Sequence, residues 1–257
     1  MIDLHCHLLP GIDDGPATTA ESLALATELA ADGVRSAAAT PHVRPDFPDV
    51  VGDELGARRA ELQGAIDAAG IQLQVLPGAE VDLTYGLELS DDELRVLSLG
   101  GSGSALLVET PYGPVSDLFE EQLFSLTLRG FRPLLAHPER NRAFQETPER
   151  LAGLTGRGVL LQVTAEALLR SPRRSATGRL AADLVERGLV SVLASDAHGG
   201  HIARESLSQG LAAARKLVGP RASVLVEDAP AAIVAGLQLP DPPRREVRRR
   251  LFGRRRG

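Results

Sequence analysis

Short apolar runs rich in β-branched residues recur about every 25 to 40 positions along the chain: Ile2–Cys6, Val34–Thr40, Ile71–Leu76, Ala105–Glu109, Arg132–Ala136, Val159–Val163 and Leu189–Ala194. Runs of this length, bounded by polar or glycine-bearing segments, predict seven buried strands. Most of the intervening stretches carry apolar residues at helical spacing: Glu21–Asp32, Glu54–Ala69, Asp117–Leu128, Pro148–Gly156 and Arg179–Arg187. Ahead of the first of these, Thr18 and Glu21 have the spacing of a capping box, and Gly33 supplies the stop. Gly100–Ser104 reads as a flexible loop before the fourth strand.

Strands alternating with helices predict βα units, a parallel sheet and helices packed outside it. Seven such units can close into an α/β fold, a distorted (β/α)7 barrel resembling a TIM barrel, in which catalytic groups come from the C-terminal ends of the strands. Two further apolar helical stretches, Ala203–Leu217 and Ala229–Leu237, precede Pro240, Pro242 and Pro243. The prolines predict a boundary between a compact domain, 1–239, and a flexible tail, 240–257.

With 257 residues, of which 43% are hydrophobic, one domain with a single sizeable core is expected. The lone cysteine, Cys6, excludes a disulfide framework and a CxxC thiolate site, so any metal must sit on nitrogen and oxygen. The first residues include Asp3, His5 and His7 instead of a basic stretch and an apolar run, and a cytoplasmic location is expected. Net charge is -6, but residues 241–257 hold eight arginines against Asp241 and Glu246, which leaves the remainder at -12. The basic tail, with Arg248–Arg250 and Arg254–Arg256, either contacts an acidic partner or membrane surface or is a solvated segment of a chain whose basic residues are almost all arginine. With no Trp, two Tyr and six Phe there is no base-stacking platform, and nucleic acid is not expected as a partner.

Five of the six histidines, His5, His7, His42, His137 and His198, stand at or just past the end of a predicted strand. The carboxylates Asp14, Glu80, Glu109 and Asp196 stand at strand ends or in the loops that leave them, so nine nitrogen and oxygen donors are expected on one rim. Side chains alternate along a strand, which turns His5 and His7 into the barrel and leaves Cys6 facing the helices as core filler. A cysteine phosphatase is excluded because the position six after Cys6, where C-x5-R needs arginine, is Ile12. Asp13-Asp14 lacks the aspartyl-phosphatase pattern, and Gly100–Ser104 does not fit a G-x-S-x-G elbow.

The ordered segments Asp3-Leu4-His5-Cys6-His7, Asp13-Asp14-Gly15-Pro16, Thr40-Pro41-His42, Gly78-Ala79-Glu80, Val108-Glu109-Thr110-Pro111-Tyr112, Ala136-His137-Pro138-Glu139-Arg140 and Ala194-Ser195-Asp196-Ala197-His198 resemble those of the PHP (polymerase and histidinol phosphatase) superfamily. Within it they are similar to the CpsB/CapC-type tyrosine-protein phosphatases linked to capsule and exopolysaccharide synthesis. The resemblance implies a PHP-type barrel and a trinuclear centre, with His5, His7, Glu80 and Asp196 on one ion, Glu80, Glu109 and His137 on a second, and Asp14, His42 and His198 on a third. It favours manganese, while donor chemistry alone also allows iron or zinc. Adjacent ions would lower the pKa of a bridging water for attack on phosphorus, with Arg140 as the non-metal catalytic residue binding the phosphoryl group. The implied substrate is a phosphotyrosine-bearing protein, with a bacterial tyrosine kinase as partner. The loop Gly199–Ala203 is shorter than in relatives of this kind, and Arg204 is the candidate for a second phosphate-binding arginine. A small-molecule PHP phosphatase, such as a histidinol phosphatase, and a non-enzymatic regulator of a polysaccharide-synthesis kinase are the alternative readings.

Overall fold

The computed structural model describes residues 1–169, 174–199 and 206–245. The described residues form nine strands: β1 Ile2–Cys6, β2 Ser36–Ala39, β3 His42–Val43, β4 Gln74–Leu76, β5 Glu80–Val81, β6 Ala105–Val108, β7 Arg132–Ala136, β8 Leu160–Thr164 and β9 Val192–Ala194. They form seven staves, because the second and third predicted strands are each split in two. Pro41 carries no backbone N–H and sits between β2 and β3. Gly78 and Ala79 separate β4 from β5.

Among the described residues the seven pairings between these strands are all parallel, in the orders β1-β2-β4 and β3-β5-β6-β7-β8-β9. The barrel closes where the segment after β9 returns to β1: Asp196 N–H donates to the His5 carbonyl and His7 N–H to the Ala197 carbonyl, each at 2.8 Å. Closure removes an exposed edge, and it brings the C-terminal ends of the first and last staves together.

The helices are α1 Thr19–Ala31, α2 Gly52–Ala68, α3 Leu83–Glu88, α4 Asp91–Val96, α5 Asp117–Leu128, α6 Arg142–Glu146, α7 Glu149–Gly156, α8 Ala165–Leu169, α9 Ala176–Arg187, α10 Leu207–Val218 and α11 Asp228–Val234. Thr18 accepts from the Glu21 N–H as predicted, but the Glu21 carboxylate turns to the Ala17 N–H at 2.7 Å, so the reciprocal half of the box is not made. Short α3 and α4 carry little periodic signal and occupy what the hydrophobic pattern leaves as loop.

Strand side chains alternate between two apolar layers. Leu106, Leu135, Leu161 and Leu193 join helix residues such as Leu25, Leu62 and Leu123 in the outer layer. Leu107, Leu134, Ala136, Val192 and Ala194 fill the lumen, where Ile233 of α11 packs with them. A register irregularity between Asp3 and Cys6 lets Leu4 join the lumen while Cys6, two residues on, joins the outer layer. Cys6 is therefore core filler, as its position in the strand predicts.

The glycine segment before β6, expected as a loop, contains a hydrogen-bonded 3₁₀ turn. Leu99–Gly101 form a 3₁₀ turn, Ser98 Oγ accepts from the Gly103 N–H, and Gly100 adopts φ +68°. A Cβ on Gly100 would meet Val234 atoms at 2.6 to 2.9 Å, so the turn depends on glycine to let α11 approach. Residues 240–245 lie against the barrel, with Arg245 N–H donating to the Glu186 carbonyl at 2.9 Å. The remainder of the tail, including Arg248–Arg250 and Arg254–Arg256, lies outside the described residues. Among the described residues, no helix is long and apolar enough to cross a membrane.

Candidate metal centre

The C-terminal rim gathers the nine predicted donors into four overlapping groups, in each of which the donor atoms lie within 4.8 Å of one another: His7, Asp14, His42 and His198; His5, His137 and Asp196; His5, His7 and Glu80; and His42, Glu80 and Glu109. Glu80 is the hub of the buried part. Its Oε2 is 3.2 Å from His5 Nε2 and 3.2 Å from His42 Nδ1, and its Oε1 is 3.0 Å from His137 Nε2. His5 Nε2 is also 3.0 Å from Asp196 Oδ1 and 3.4 Å from His7 Nε2. Asp14 Oδ1 lies 3.3 Å from His198 Nε2 and 3.5 Å from His42 Nε2. The grouping differs from the implied ion sets at three points: His7 also falls with Asp14, His42 and His198, Glu109 falls with His42 and Glu80 instead of with His137, and Asp196 falls with His5 and His137 instead of with His7 and Glu80.

Three imidazoles are fixed from outside. His5 Nδ1 bonds Gln162 Oε1 at 3.0 Å, His7 Nδ1 bonds Asp13 Oδ2 at 2.7 Å, and His198 Nδ1 bonds the Asp196 carbonyl at 2.9 Å. When Nδ1–H donates outward, the lone pair of Nε2 faces the centre, which is the arrangement by which outer partners orient metal-binding histidines. Gln162 also accepts from the His137 N–H, and Asp13 from the His42 N–H, both at 3.2 Å. Neither role is read from the motif pattern. A buried glutamine inside the apolar run of β8 is the signal for the first, and adjacency to Asp14 offers nothing for the second.

The backbone is strained where the donors need it. Among the described residues, only His137 (φ +36°) and Asp196 (φ +58°) are non-glycine residues at positive φ. Such conformations are costly and persist where surrounding structure imposes them, often at functional sites. Here each turns a donor back over the end of its strand.

Charge in the centre is unbalanced. Burial opposes ionisation of Glu80, but the attraction of His5 and hydrogen bonds with His137, His5 and His7 hold its carboxyl well below the usual range. Burial likewise opposes the charge on His5, yet Asp196 and Glu80 raise its pKa to about 10. His7, buried and bonded to Asp13, Asp196 and Glu80, is also raised well above its ordinary value. His42 moves the other way, to about 4, with burial the largest cause. Burial and the neighbouring Glu80 charge push Glu109 up.

These residues fit divalent ions. The donors are imidazole nitrogens and carboxylate oxygens without thiolate, they converge at lengths a shared cation would bridge, and their outer atoms are tied to protein partners. His42 Nδ1 is buried and lies 3.2 Å from Glu80 Oε2, yet makes no hydrogen bond. An atom so close but so poorly aligned is aimed at a common point and not at its neighbour. Ligation requires neutral imidazoles, so ions must displace the protons that the carboxylates hold on His5 and His7. Metal binding at pH 7 is expected to release protons, and its apparent affinity is expected to rise with pH as those imidazolium groups deprotonate. Calorimetric titration in two buffers of different ionisation enthalpy measures the release; identical heats in both would contradict it.

Arg140 follows His137 in a 3₁₀ turn over Pro138–Arg140, and its Nη1 is 2.6 Å from Asp196 Oδ2. Its side chain is 43% exposed and so opens onto the rim. The alternative sequence reading of Arg140, a surface salt bridge with Glu139 or Glu149, is not what the structure shows: its partner is a donor of the centre, and Glu149 pairs with Arg187. Glu139 is instead buried, with Oε1 accepting from Thr164 N–H and hydroxyl. Arg204 and His201 lie outside the described residues. A second arginine missed by motif reading does reach the rim: Arg44 Nη1 donates to both oxygens of Glu109, at 3.0 and 3.2 Å.

An α/β barrel whose C-terminal rim collects imidazoles and carboxylates around shared points is of the metallohydrolase class. The chain belongs to the CpsB/CapC family of capsular polysaccharide synthesis, which matches residues 1–234. It is 31% identical over 258 residues to the tyrosine-protein phosphatase YwqE of Bacillus subtilis, covering 98% of this chain and 99% of that one. It is 26% identical over 205 residues to the tyrosine-protein phosphatase CpsB of Streptococcus pneumoniae, covering 77% of this chain and 83% of the relative. Among solved structures, one from a study of B. subtilis YwqE and S. pneumoniae CpsB, described as unique metal-dependent tyrosine phosphatases, superposes with a TM-score of 0.85 at 29% identity, over 97% of this chain and 100% of that chain. A mutant organophosphorus hydrolase shares the fold alone, with a TM-score of 0.51 at 15% identity over 91% of this chain and 92% of its own.

Proposed function

We propose that this protein is a manganese-dependent phosphatase that hydrolyses phosphotyrosine in a protein substrate, a bacterial tyrosine kinase in capsule or exopolysaccharide synthesis, in the cytoplasm. The observation that carries the reading is the convergence of His5, His7, Asp14, His42, Glu80, Glu109, His137, Asp196 and His198 in four overlapping donor groups, two of which share the buried Glu80. Overlap of this kind suits several ions sharing ligands, and three are proposed. The naming of similar proteins as metal-dependent tyrosine phosphatases supports the substrate class.

Divalent ions bound here would lower the pKa of water and neutralise charge on the phosphoryl group. The chain's own groups do the rest. Gln162, Asp13 and the Asp196 carbonyl hold His5, His7 and His198 in the tautomer that presents Nε2. Arg140 stands over Asp196 at the open side, where its planar guanidinium can take phosphoryl oxygens as charge develops on them. Cys6 is sealed in the core, so nothing in the reading asks for a cysteinyl phosphate.

With manganese added, a phosphotyrosyl peptide is expected to release phosphate with kcat/KM at least ~10-fold above that for histidinol phosphate, a one-decade difference in transition-state binding. A preference for histidinol phosphate would refute the phosphotyrosine assignment. Absence of turnover on any phosphomonoester would favour a regulator without catalysis.

A further inference from the structure

Beyond His42, the chain leaves the centre as Val43-Arg44-Pro45 and turns into α2, bordering a recess of about 400 Å³. That is within the range of ligand-binding clefts, ~300–1,000 Å³. The recess shares its near wall with the centre. The Phe47 ring stacks on the His42 ring, with centroids 5.2 Å apart and planes at 8°, and Arg44 grips Glu109. Tyr85, Leu89 and Leu97 from α3, α4 and their flanks give it an apolar floor.

The rim has the opposite character. Asp53, in the first turn of α2, and Glu93, in the first turn of α4, both line the recess. Arg44 is the one cation among the described residues that line it, and its charge is committed: Nη1 to Glu109, and Nε to Asp46 at 2.8 Å. Glu93 Oε2 accepts from the Ser90 N–H and hydroxyl at 2.8 and 2.6 Å, but among the described residues no cation pairs with Glu93 or Asp53. An apolar floor beneath an acidic rim without a paired cation suits a side chain with an aliphatic stem and a cationic head.

We propose that this recess is a specificity subsite for a lysine or arginine adjacent to the phosphotyrosine of the substrate peptide, its stem over Leu89 and Leu97 and its head at Asp53 and Glu93. The inference rests on the phosphotyrosine reading and adds to it the sequence context of the substrate. The recess shares the Phe47–His42 and Arg44–Glu109 wall with the centre, so its occupant is drawn from the residues that flank the phosphotyrosine in the same peptide, where consecutive Cα atoms are ~3.8 Å apart.

The test uses the manganese-loaded full chain, p-nitrophenyl phosphate, and two phosphotyrosyl peptides identical except for lysine or glutamate at both positions flanking the phosphotyrosine. The lysine peptide is expected to have about tenfold higher kcat/KM, as attraction and repulsion at two exposed carboxylates combine. In the double variant D53N/E93Q that ratio is expected to fall towards one while p-nitrophenyl phosphate turnover is unchanged. Glutamine at 93 can still accept from Ser90 in the α4 capping box, so the local fold is retained. Equal rates on the two peptides with the wild-type protein would overturn the proposal, as would a ratio that survives in the variant or a variant equally impaired on p-nitrophenyl phosphate. Wild-type turnover of p-nitrophenyl phosphate but of neither peptide would overturn the phosphotyrosine reading, and this one with it.

Discussion

Glu80→Gln is expected to cost ~10²–10⁴-fold in metal affinity and to abolish phosphatase activity at micromolar manganese. Glu80 is fully buried and touches His5, His42 and His137 with its two oxygens, so it belongs to two of the four donor groups. Removing one charge from a buried, interlocked set costs ~3–5 kcal/mol, which converts to the stated range at 1.36 kcal/mol per decade. Glutamine keeps the volume, so no cavity is made in the barrel. The change is separable from misfolding by thermal unfolding. A ligand that binds only the folded state stabilises it by ~4 kcal/mol at a thousand times its Kd, so manganese is expected to raise Tm of the wild type and to leave that of Glu80→Gln nearly unmoved. A variant with full activity and a full manganese-induced rise in Tm would remove Glu80 from the centre.

Arg140→Ala has the second largest expected effect, a fall of ~10²–10³-fold in kcat with bound metal unchanged. The magnitude is that of losing one preorganised donor to developing charge. Its contact with Asp196 Oδ2 at 2.6 Å makes the metal measurement decisive. Were Arg140 there only to hold Asp196, the alanine variant would lose ions together with turnover. Arg140→Lys separates the two roles further: a point charge can still pair with Asp196 but cannot offer a planar, bidentate face to phosphate. It is expected to retain metal and recover only a small part of kcat. Loss of metal from the alanine variant would show that the residue positions a ligand instead of binding the phosphoryl group.

The barrel and the gathering of the nine candidate donors at its rim were legible in the sequence because both obey short-range rules. Strand runs repeat with helices between them, and a polar residue at the C-terminal end of a parallel strand has nowhere to face but the rim. His5, His137 and Asp196 follow that rule although they are far apart in the chain. The groups that complete the centre do not. Arg44 becomes a partner of Glu109 only through the path of the loop after β3, and no spacing between positions 44 and 109 encodes it. Gln162 reads as a polar interruption in a strand until the barrel closes and brings it beneath both His5 and His137. The breaks at Pro41 and at Gly78-Ala79 merge into continuous runs in a hydropathy pattern, although they stand immediately before His42 and Glu80. The recess beside Phe47 is likewise a product of packing between α2, α3 and α4, two of which carry almost no periodic signal.

The central claim is that these donors form a metal centre on which phosphotyrosine hydrolysis depends. It is tested most directly by stripping the protein with chelator, titrating manganese back, and following phosphate release from a phosphotyrosyl peptide together with bound metal. Activity is expected to be absent from the stripped protein, to return with manganese and to saturate as occupancy reaches three ions per chain. Full turnover in the stripped protein, or full occupancy without phosphate release, would contradict the account.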